Sequence, residues 1–251
     1  MLQLENKTAL ITGANRGIGA GVARAFSAEG ATVAINYPGT QARDEAEALR
    51  AGIEEGGGTA IILEADVANA RAVKAMVGEA IESLGSIDIL VNNAGIARAA
   101  PVEDIDPDIW DEVFAVHMRG TFLSCKYVLP HMYERGAGRI INTASQLAYL
   151  GAAGFAHYTA AKGAIVTFTR TLALEAAPKG VGVNAVAPGA TRTAMLEDVP
   201  GEILEGIRQS IPLGTLADID DIVPSYVFLA SDGAKHFVGQ VISPNGGDMF
   251  L

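Results

Sequence analysis

"TALITGANRGIG", residues 8–19, runs a short apolar stretch between threonines into three glycines and then into an amphipathic segment. The apolar run reads as a buried strand and the segment after the glycines as a helix, so the glycines form the turn between them. Gly13, Gly17 and Gly19 let the backbone turn tightly and approach a ligand with no Cβ in the way. A helix opening directly after such a turn presents free N–H groups and a partial positive charge, which suit a pyrophosphate. The spacing differs from the usual G-x-G-x-x-G, and a glycine-rich connection can also serve only to pack helix on strand. The context decides between the two.

Outward from this turn, short apolar runs alternate with longer amphipathic ones. "TALIT", "TVAIN", "AIILEAD", "IDILVNN", "RIINTAS", "GVNAVAP" and "QVIS" read as strands, several of them apolar at nearly every position. That pattern belongs to strands buried on both faces of a parallel sheet. Helices are expected near residues 17–29, 41–55, 69–83, 107–134 and 155–178. The βαβα order predicts an α/β fold, a doubly wound Rossmann-type parallel sheet with helices on both faces. The stretch at about 190–215, "ATRTAMLEDVPGEILEGIRQSIPLG", breaks the rhythm and is expected to form a short helical substrate flap. With no linker-like composition and no repeat, residues 1–251 read as a single dinucleotide-binding oxidoreductase domain.

The chain has 251 residues, is 49% hydrophobic and carries a formal charge of −11. Acidic character without a basic run argues against nucleic acid and anionic membrane surfaces as partners. The single cysteine, Cys125, excludes an internal disulfide framework and a cysteine-based zinc site; in "GTFLSCKYVL" it reads as a buried structural thiol. No secretory leader pattern and no membrane-spanning apolar stretch is evident, so a cytoplasmic protein is expected. His131, His157 and His236 are scattered and read as surface or packing residues. No histidine–carboxylate cluster suggests a metal.

In dinucleotide folds an acidic residue about 20 positions past the glycines binds the ribose 2′-OH of NAD. Here the region reads "AINYPGTQAR": Tyr37 stands where that carboxylate is expected, and no acid appears before Asp44. Arg16, inside the turn, could instead meet a 2′-phosphate, with Asn36, Tyr37 and Thr40 as hydrogen-bonding neighbours. NADP(H) is therefore expected over NAD(H), which stays possible. Far along the chain, "AHYTAAKGAI" puts Tyr158 and Lys162 four positions apart, on one face of a helix.

"TGANRGIG" (12–19), "NNAG" (92–95) and "YTAAK" (158–162), in this order and spacing, resemble the short-chain dehydrogenase/reductase family in its single-domain branch. The resemblance covers the whole chain, with 3-oxoacyl-carrier-protein reductase-like and small-alcohol-dehydrogenase-like members as the nearest in look. It implies that Tyr158 is the catalytic acid/base, that Lys162 lowers its pKa and binds the nicotinamide ribose, and that Ser145 hydrogen-bonds the substrate carbonyl. It implies a cofactor cleft built from Gly13, Asn15, Arg16, Gly17, Ile18 and Gly19, from Asn36 and Tyr37, from Asp66 and Val67 at the adenine, and from Asn92, Ala94 and Gly95. Pro188, Gly189, Thr191 and Thr193, in "APGATRT", would meet the nicotinamide amide, and Tyr158 and Lys162 the rest of the nicotinamide nucleoside. A homotetramer is implied as well. One position departs: "VFAVHMRGTF" has His117 where the family usually has asparagine.

Carbonyl reduction needs a hydride donor at carbon and a proton donor at oxygen. Free tyrosine has a pKa near 10, and a cation at about 4 Å contributes roughly 4 kcal/mol at an effective dielectric of 20, about three pKa units. Lys162, helped by the positive charge of the oxidised nicotinamide, is thus expected to bring Tyr158 toward working pH, with Ser145 as a second donor to the developing oxyanion. The resemblance implies that the asparagine there stabilises a distortion of the central helix, whose freed main-chain carbonyl holds a water leading to Lys162. His117 is expected to take over holding the helix and water and to add a pH-dependent term, its free pKa being about 6.5. The activity this implies is hydride transfer between NADP(H) and a small or apolar carbonyl or secondary alcohol. The alternatives are an NAD-dependent alcohol dehydrogenase working in the oxidative direction and a non-catalytic dinucleotide-binding scaffold. The expected pocket wall, from Gln146 to Phe155 and from Ala190 to about Ile211, is mostly small or apolar.

Overall fold

The computed structural model describes residues 2–196 and 199–250. Seven parallel strands form one sheet: β1 Thr8–Ile11, β2 Thr32–Tyr37, β3 Ala60–Glu64, β4 Ile89–Asn92, β5 Gly138–Thr143, β6 Val181–Val186 and β7 Val241–Ile242. Their order is β3-β2-β1-β4-β5-β6-β7, so the direction of winding reverses between β1 and β4. The register there pairs Leu10 with Ala34 on one side and Leu90 on the other. Ligands of open α/β sheets bind beyond the carboxyl ends of the strands at such a reversal. The glycine turn lies at that point.

Helices α1 Gly17–Ala28, α2 Arg43–Glu55, α3 Ala70–Leu84, α4 Pro107–Phe114, α5 Gly120–Arg135, α6 Leu147–Leu150, α7 Ala156–Ala176, α8 Gly201–Ser210 and α9 Ile219–Ala230 complete the described chain. Alternate residues of each strand point to opposite faces, which builds two cores. On one face Val33, Ile35 and Val91 pack with Phe26 of α1, Leu49 of α2 and Tyr226 of α9. On the other, Ala34 and Leu90 pack with Met76 of α3, Val128 of α5 and Leu172 of α7. Cys125 is buried in this second core.

Three features differ from the sequence expectation or sharpen it. The long helix expected at 107–134 is interrupted by a π segment, Ala115–Arg119, which holds His117. Helix α9 was not anticipated, although "DIDD" at its start forms a capping box in which Asp218 and Asp221 satisfy each other's backbone N–H; Pro224 within it masks the helical pattern. The expected flap contains α8, while residues 197 and 198 of it lie outside the described residues. Among the described residues no helix is long and apolar enough to cross a membrane.

Candidate active site

The glycine turn is built around one neighbour. Gly13 has φ +58, and a Cβ on it would stand 2.7 Å from Ala94 Cα. A Cβ on Gly19 would stand 2.6 Å from the Gly13 carbonyl oxygen. Only glycine fits either place. Asn93 donates through Nδ2 to the Thr12 and Gly13 carbonyls at 3.0 Å each. Thr12 Oγ1 in turn accepts from the Asn93 and Ala94 N–H groups at 3.0 and 3.1 Å. Helix α1 begins here with Arg16 at its N-cap, no capping side chain and no acid in the first turn. Its first N–H groups are therefore free for an anion, and the site fits a dinucleotide pyrophosphate. Thr193 reaches over this turn, its Cγ2 3.8 Å from where a Cβ of Gly17 would stand. Asn15 and Ile18 are half-buried in the turn, and Arg16 is exposed.

Several residues expected in the cofactor cleft are committed elsewhere. Asn36 is buried; its Oδ1 accepts from Gly13 N–H at 3.1 Å, and its Nδ2 donates to the Leu63 and Ala65 carbonyls at 3.2 and 3.0 Å. Its side chain shapes the turn and has no group left for a 2′-phosphate. Tyr37 is 3% exposed and packs beneath α2 in the first core, with its hydroxyl donating to Glu64 Oε2 at 3.4 Å. Asn92 points into the second core, with Nδ2 donating to Asn142 Oδ1 at 2.8 Å and to Cys125 Sγ at 3.3 Å. Strand parity accounts for these: Asn92 shares its face with Leu90, whereas the next residue, Asn93, turns to the cleft. Asp66 is exposed and caps the turn after β3 by accepting from Ala68 N–H at 2.9 Å, while Val67 is buried. Gly95 is exposed beside Ala94; Pro188 and Thr191 are buried, and Thr191 Oγ1 donates to the Gly189 carbonyl at 2.9 Å. One group was missed. Glu45, in the first turn of α2, accepts from Asn15 Nδ2 at 2.5 Å and brings a carboxylate to the edge of the turn.

Beyond the turn, three elements converge. Ser145 stands past the end of β5, 7% exposed, and its Oγ accepts from Leu147 N–H at 3.2 Å. Tyr158 and Lys162 come from the first turns of α7. Lys162 is 3% exposed, and its Nζ donates to the Thr143 carbonyl at 2.6 Å. Its Nζ lies 5.7 Å from the Tyr158 ring centre. Burial pulls Lys162 down to about 7, which leaves it partly neutral at working pH. Burial also pushes Tyr158 above its usual value, and the Ser145 hydroxyl beside it offsets this by a smaller amount. The three-unit depression of Tyr158 expected from a lysine cation at 4 Å is thus absent in this state. Both groups are desolvated, and burial reduces the charge that Lys162 carries near neutral pH. Tyr158 here is a protonated acid.

His117 supplies the fourth side of the cluster. It is 1% exposed and meets the Tyr158 ring edge-on, with centroids 5.3 Å apart at 89°. Its Nε2 stands 2.7 Å from the Ile96 carbonyl oxygen and 3.1 Å from Ile96 N. The shorter contact assigns the neutral tautomer with Nε2–H donating to that carbonyl, which leaves the buried Nδ1 as an unpartnered acceptor. Gly95 has no side chain where His117 lies; a Cβ there would overlap the ring. Burial, and after it the Lys162 charge, push His117 down to about 3. That shift moves its titration well below the neutral range in which a pH-dependent term was expected of it. His117 does tie the π segment to the loop after β4.

On the substrate side the pocket is less uniformly apolar than its sequence implies. Gln146 Nε2 donates to Asp248 Oδ2 at 2.8 Å, and Ser210 Oγ, at the end of α8, donates to the Ile207 carbonyl at 2.8 Å and lies 3.3 Å from Asp248 Oδ1. Of the other histidines, His236 is exposed, His131 accepts from Ile87 N–H at 3.3 Å, and His157 is fully buried with neither ring nitrogen paired. Among the described residues no group of three or more His, Cys, Asp or Glu could hold a metal.

Residues 13–248 match a protein-family model described as enoyl-(acyl carrier protein) reductase. The 3-oxoacyl-(acyl-carrier-protein) reductase of Staphylococcus epidermidis is 38% identical over 96% of this chain and 98% of its own. A dehydrogenase/reductase of Sinorhizobium meliloti superposes with a TM-score of 0.93 at 36% identity, covering 99% of this chain and 97% of that one. A gluconate 5-dehydrogenase of Burkholderia cenocepacia, solved with NADP and tartrate, gives a TM-score of 0.93 at 33% identity over 98% and 96%.

Proposed function

The chain belongs to the short-chain dehydrogenase/reductase family, and from that premise we propose that it is an NADP(H)-dependent oxidoreductase for a small or apolar carbonyl or secondary alcohol, 3-oxoacyl-reductase-like in its chemistry. The observation that carries this reading is the meeting of Ser145, Tyr158 and Lys162 at the open end of the glycine-turn cleft. The bound nicotinamide would exchange a hydride with the substrate carbon. The chain does the rest. Ser145 and Tyr158 hydroxyls orient the carbonyl oxygen, and the Tyr158 proton passes to that oxygen as charge develops there. A tyrosine held protonated, as this one is, suits the reductive direction. Lys162, anchored on Thr143, then meets the phenolate with a proton of its own. His117 keeps the Tyr158 ring in place by edge contact and acts as a positioning residue. The α1 N-terminus, Ala94, Gly95, Asp66 and Val67, and the Pro188–Thr193 stretch would hold the dinucleotide.

Arg16, exposed at the N-cap of α1, is the cation for a 2′-phosphate, and the NADP found in the Burkholderia cenocepacia neighbour supports that preference. Glu45 favours the second reading, an NAD-dependent dehydrogenase working oxidatively, because a carboxylate at Asn15 opposes a 2′-phosphate and suits a ribose hydroxyl. Family resemblance supports a homotetramer, a cytoplasmic location and the 190–215 stretch as substrate flap. The test is a panel of carbonyls and alcohols assayed with both cofactors. Reduction of a carbonyl with kcat/KM higher for NADPH than NADH is expected; oxidation with NAD alone would favour the second reading, and no turnover with any pair would favour a binding scaffold.

A further inference from the structure

Next to the catalytic serine stands a polar group that the reaction does not use. Gln146 is 5% exposed. Its backbone N–H donates to the Pro188 carbonyl at 3.1 Å, and its side-chain Nε2 donates to Asp248 Oδ2 at 2.8 Å. Its Oε1 is buried without a partner, lodged 3.2 Å from where a Cβ of Gly189 would be. The carboxylate settles the amide orientation, since only the NH₂ end can donate to it. A buried amide is thus pinned by its donor end, and its acceptor end is left open beside the catalytic loop.

The carboxylate it holds is differently placed. Asp248 is half-buried, and its second oxygen lies 3.3 Å from the hydroxyl of the exposed Ser210 at the end of α8, whose one proton goes to the Ile207 carbonyl at 2.8 Å. Its backbone follows Gly246 and Gly247, at φ 68° and 92°, and this turn receives the chain leaving α8: Leu213 N–H donates to the Gly246 carbonyl at 3.1 Å. Asp248 therefore links the residue after Ser145 to the end of α8, within the stretch expected as substrate flap. That second oxygen thus keeps its acceptor capacity toward the α8 side. A hydroxyl on the substrate would supply the donor it lacks. An anion would be repelled, and an alkyl chain would strip water from the carboxylate without giving it a partner.

We propose that Asp248, oriented by Gln146, is a subsite for a substrate hydroxyl, so that the substrate is an uncharged carbonyl or secondary alcohol carrying a further hydroxyl near the reacting carbon. This rests on the oxidoreductase reading and narrows it. The test is NADPH-dependent reduction of a matched pair of neutral ketones differing by one hydroxyl, with a 3-oxoacyl thioester alongside. The parent should favour the hydroxylated ketone over its alkyl match by about tenfold or more in kcat/KM. Asp248→Leu should erase that ratio, mainly through a rise in KM for the hydroxylated ketone; Asp248→Asn, which keeps a partner for Gln146, should retain part of it. Equal or better use of the alkyl ketone or thioester by the parent, or a ratio unchanged in Asp248→Leu, would overturn the subsite and leave the reductase standing. No reduction of any of the three would overturn both.

Discussion

Arg16 stands at the N-cap of α1, and Glu45 reaches the same glycine turn from α2. On the reading proposed above, the balance between their charges would set the choice of cofactor. Arg16 has no partner among the described hydrogen bonds, whereas Glu45 is held in place by Asn15. A guanidinium free to meet a phosphate typically adds tenfold to a hundredfold in affinity. Arg16→Ala should therefore weaken NADPH by about that factor and leave NADH nearly unchanged. Glu45→Gln should do the reverse and tighten NADPH by up to about fivefold, the range for exposed charge pairs. Titrating both cofactors against each variant decides it: equal losses for the two cofactors in Arg16→Ala would reduce Arg16 to a loop residue. At this scale the sequence was legible in part. Arg16 stood inside a recognisable turn, but Glu45 comes to it from a separate helix, and nothing in spacing marks that approach. Asn92 shows the limit of such a reading: it ends β4 on the face of Leu90 and pairs with Asn142 and Cys125, and one step of parity separates it from Asn93, which turns to the glycine loop.

The π segment is the element on which the active site turns. Inserted between α4 and α5, it directs His117 sideways, against both Tyr158 and the Ile96 backbone. An interruption of this kind is invisible to helical periodicity, which runs through 107–134 without a break. Its stability has a signature. His117 is held at about 3 in the folded protein against about 6.5 in the unfolded chain, so between those values the unfolded state binds more protons. His117 therefore leaves stability intact above pH 6.5 and causes it to fall as pH drops toward 3, by up to about 1.4 kcal/mol per pH unit. In His117→Asn this part of the acid slope should vanish. Activity should stay within about tenfold, and the kcat/KM profile from pH 6 to 8 should match the parent's. His117→Ala, which loses the tie to Ile96, should cost more than tenfold. An Asn variant that unfolds in acid along the parent's curve would mean the histidine is not buried neutral.

Across the whole molecule, the seven-stranded order brings the ends of β1, β4, β5 and β6 to one edge, and the residues expected to do chemistry gather there from positions 12 to 193. The alternation of apolar runs and amphipathic stretches was enough to read this architecture, because both cores are built from strict strand parity. The Ser145, Tyr158 and Lys162 cluster was legible through the spacing of its motifs. The electrostatic state of that cluster was not: it depends on how far burial outweighs a nearby charge, and sequence carries no measure of burial at a site made by three separate elements. Desolvation dominates here, leaving Tyr158 protonated and Lys162 poised near 7. The account stands or falls on Tyr158 as the proton donor to a substrate reduced by NADPH. The decisive measurement is kcat/KM with the best carbonyl for the parent and for Tyr158→Phe, with NADPH affinity measured on the same samples. The account predicts a loss of two orders of magnitude or more with NADPH binding nearly unchanged; a loss of less than tenfold would contradict it.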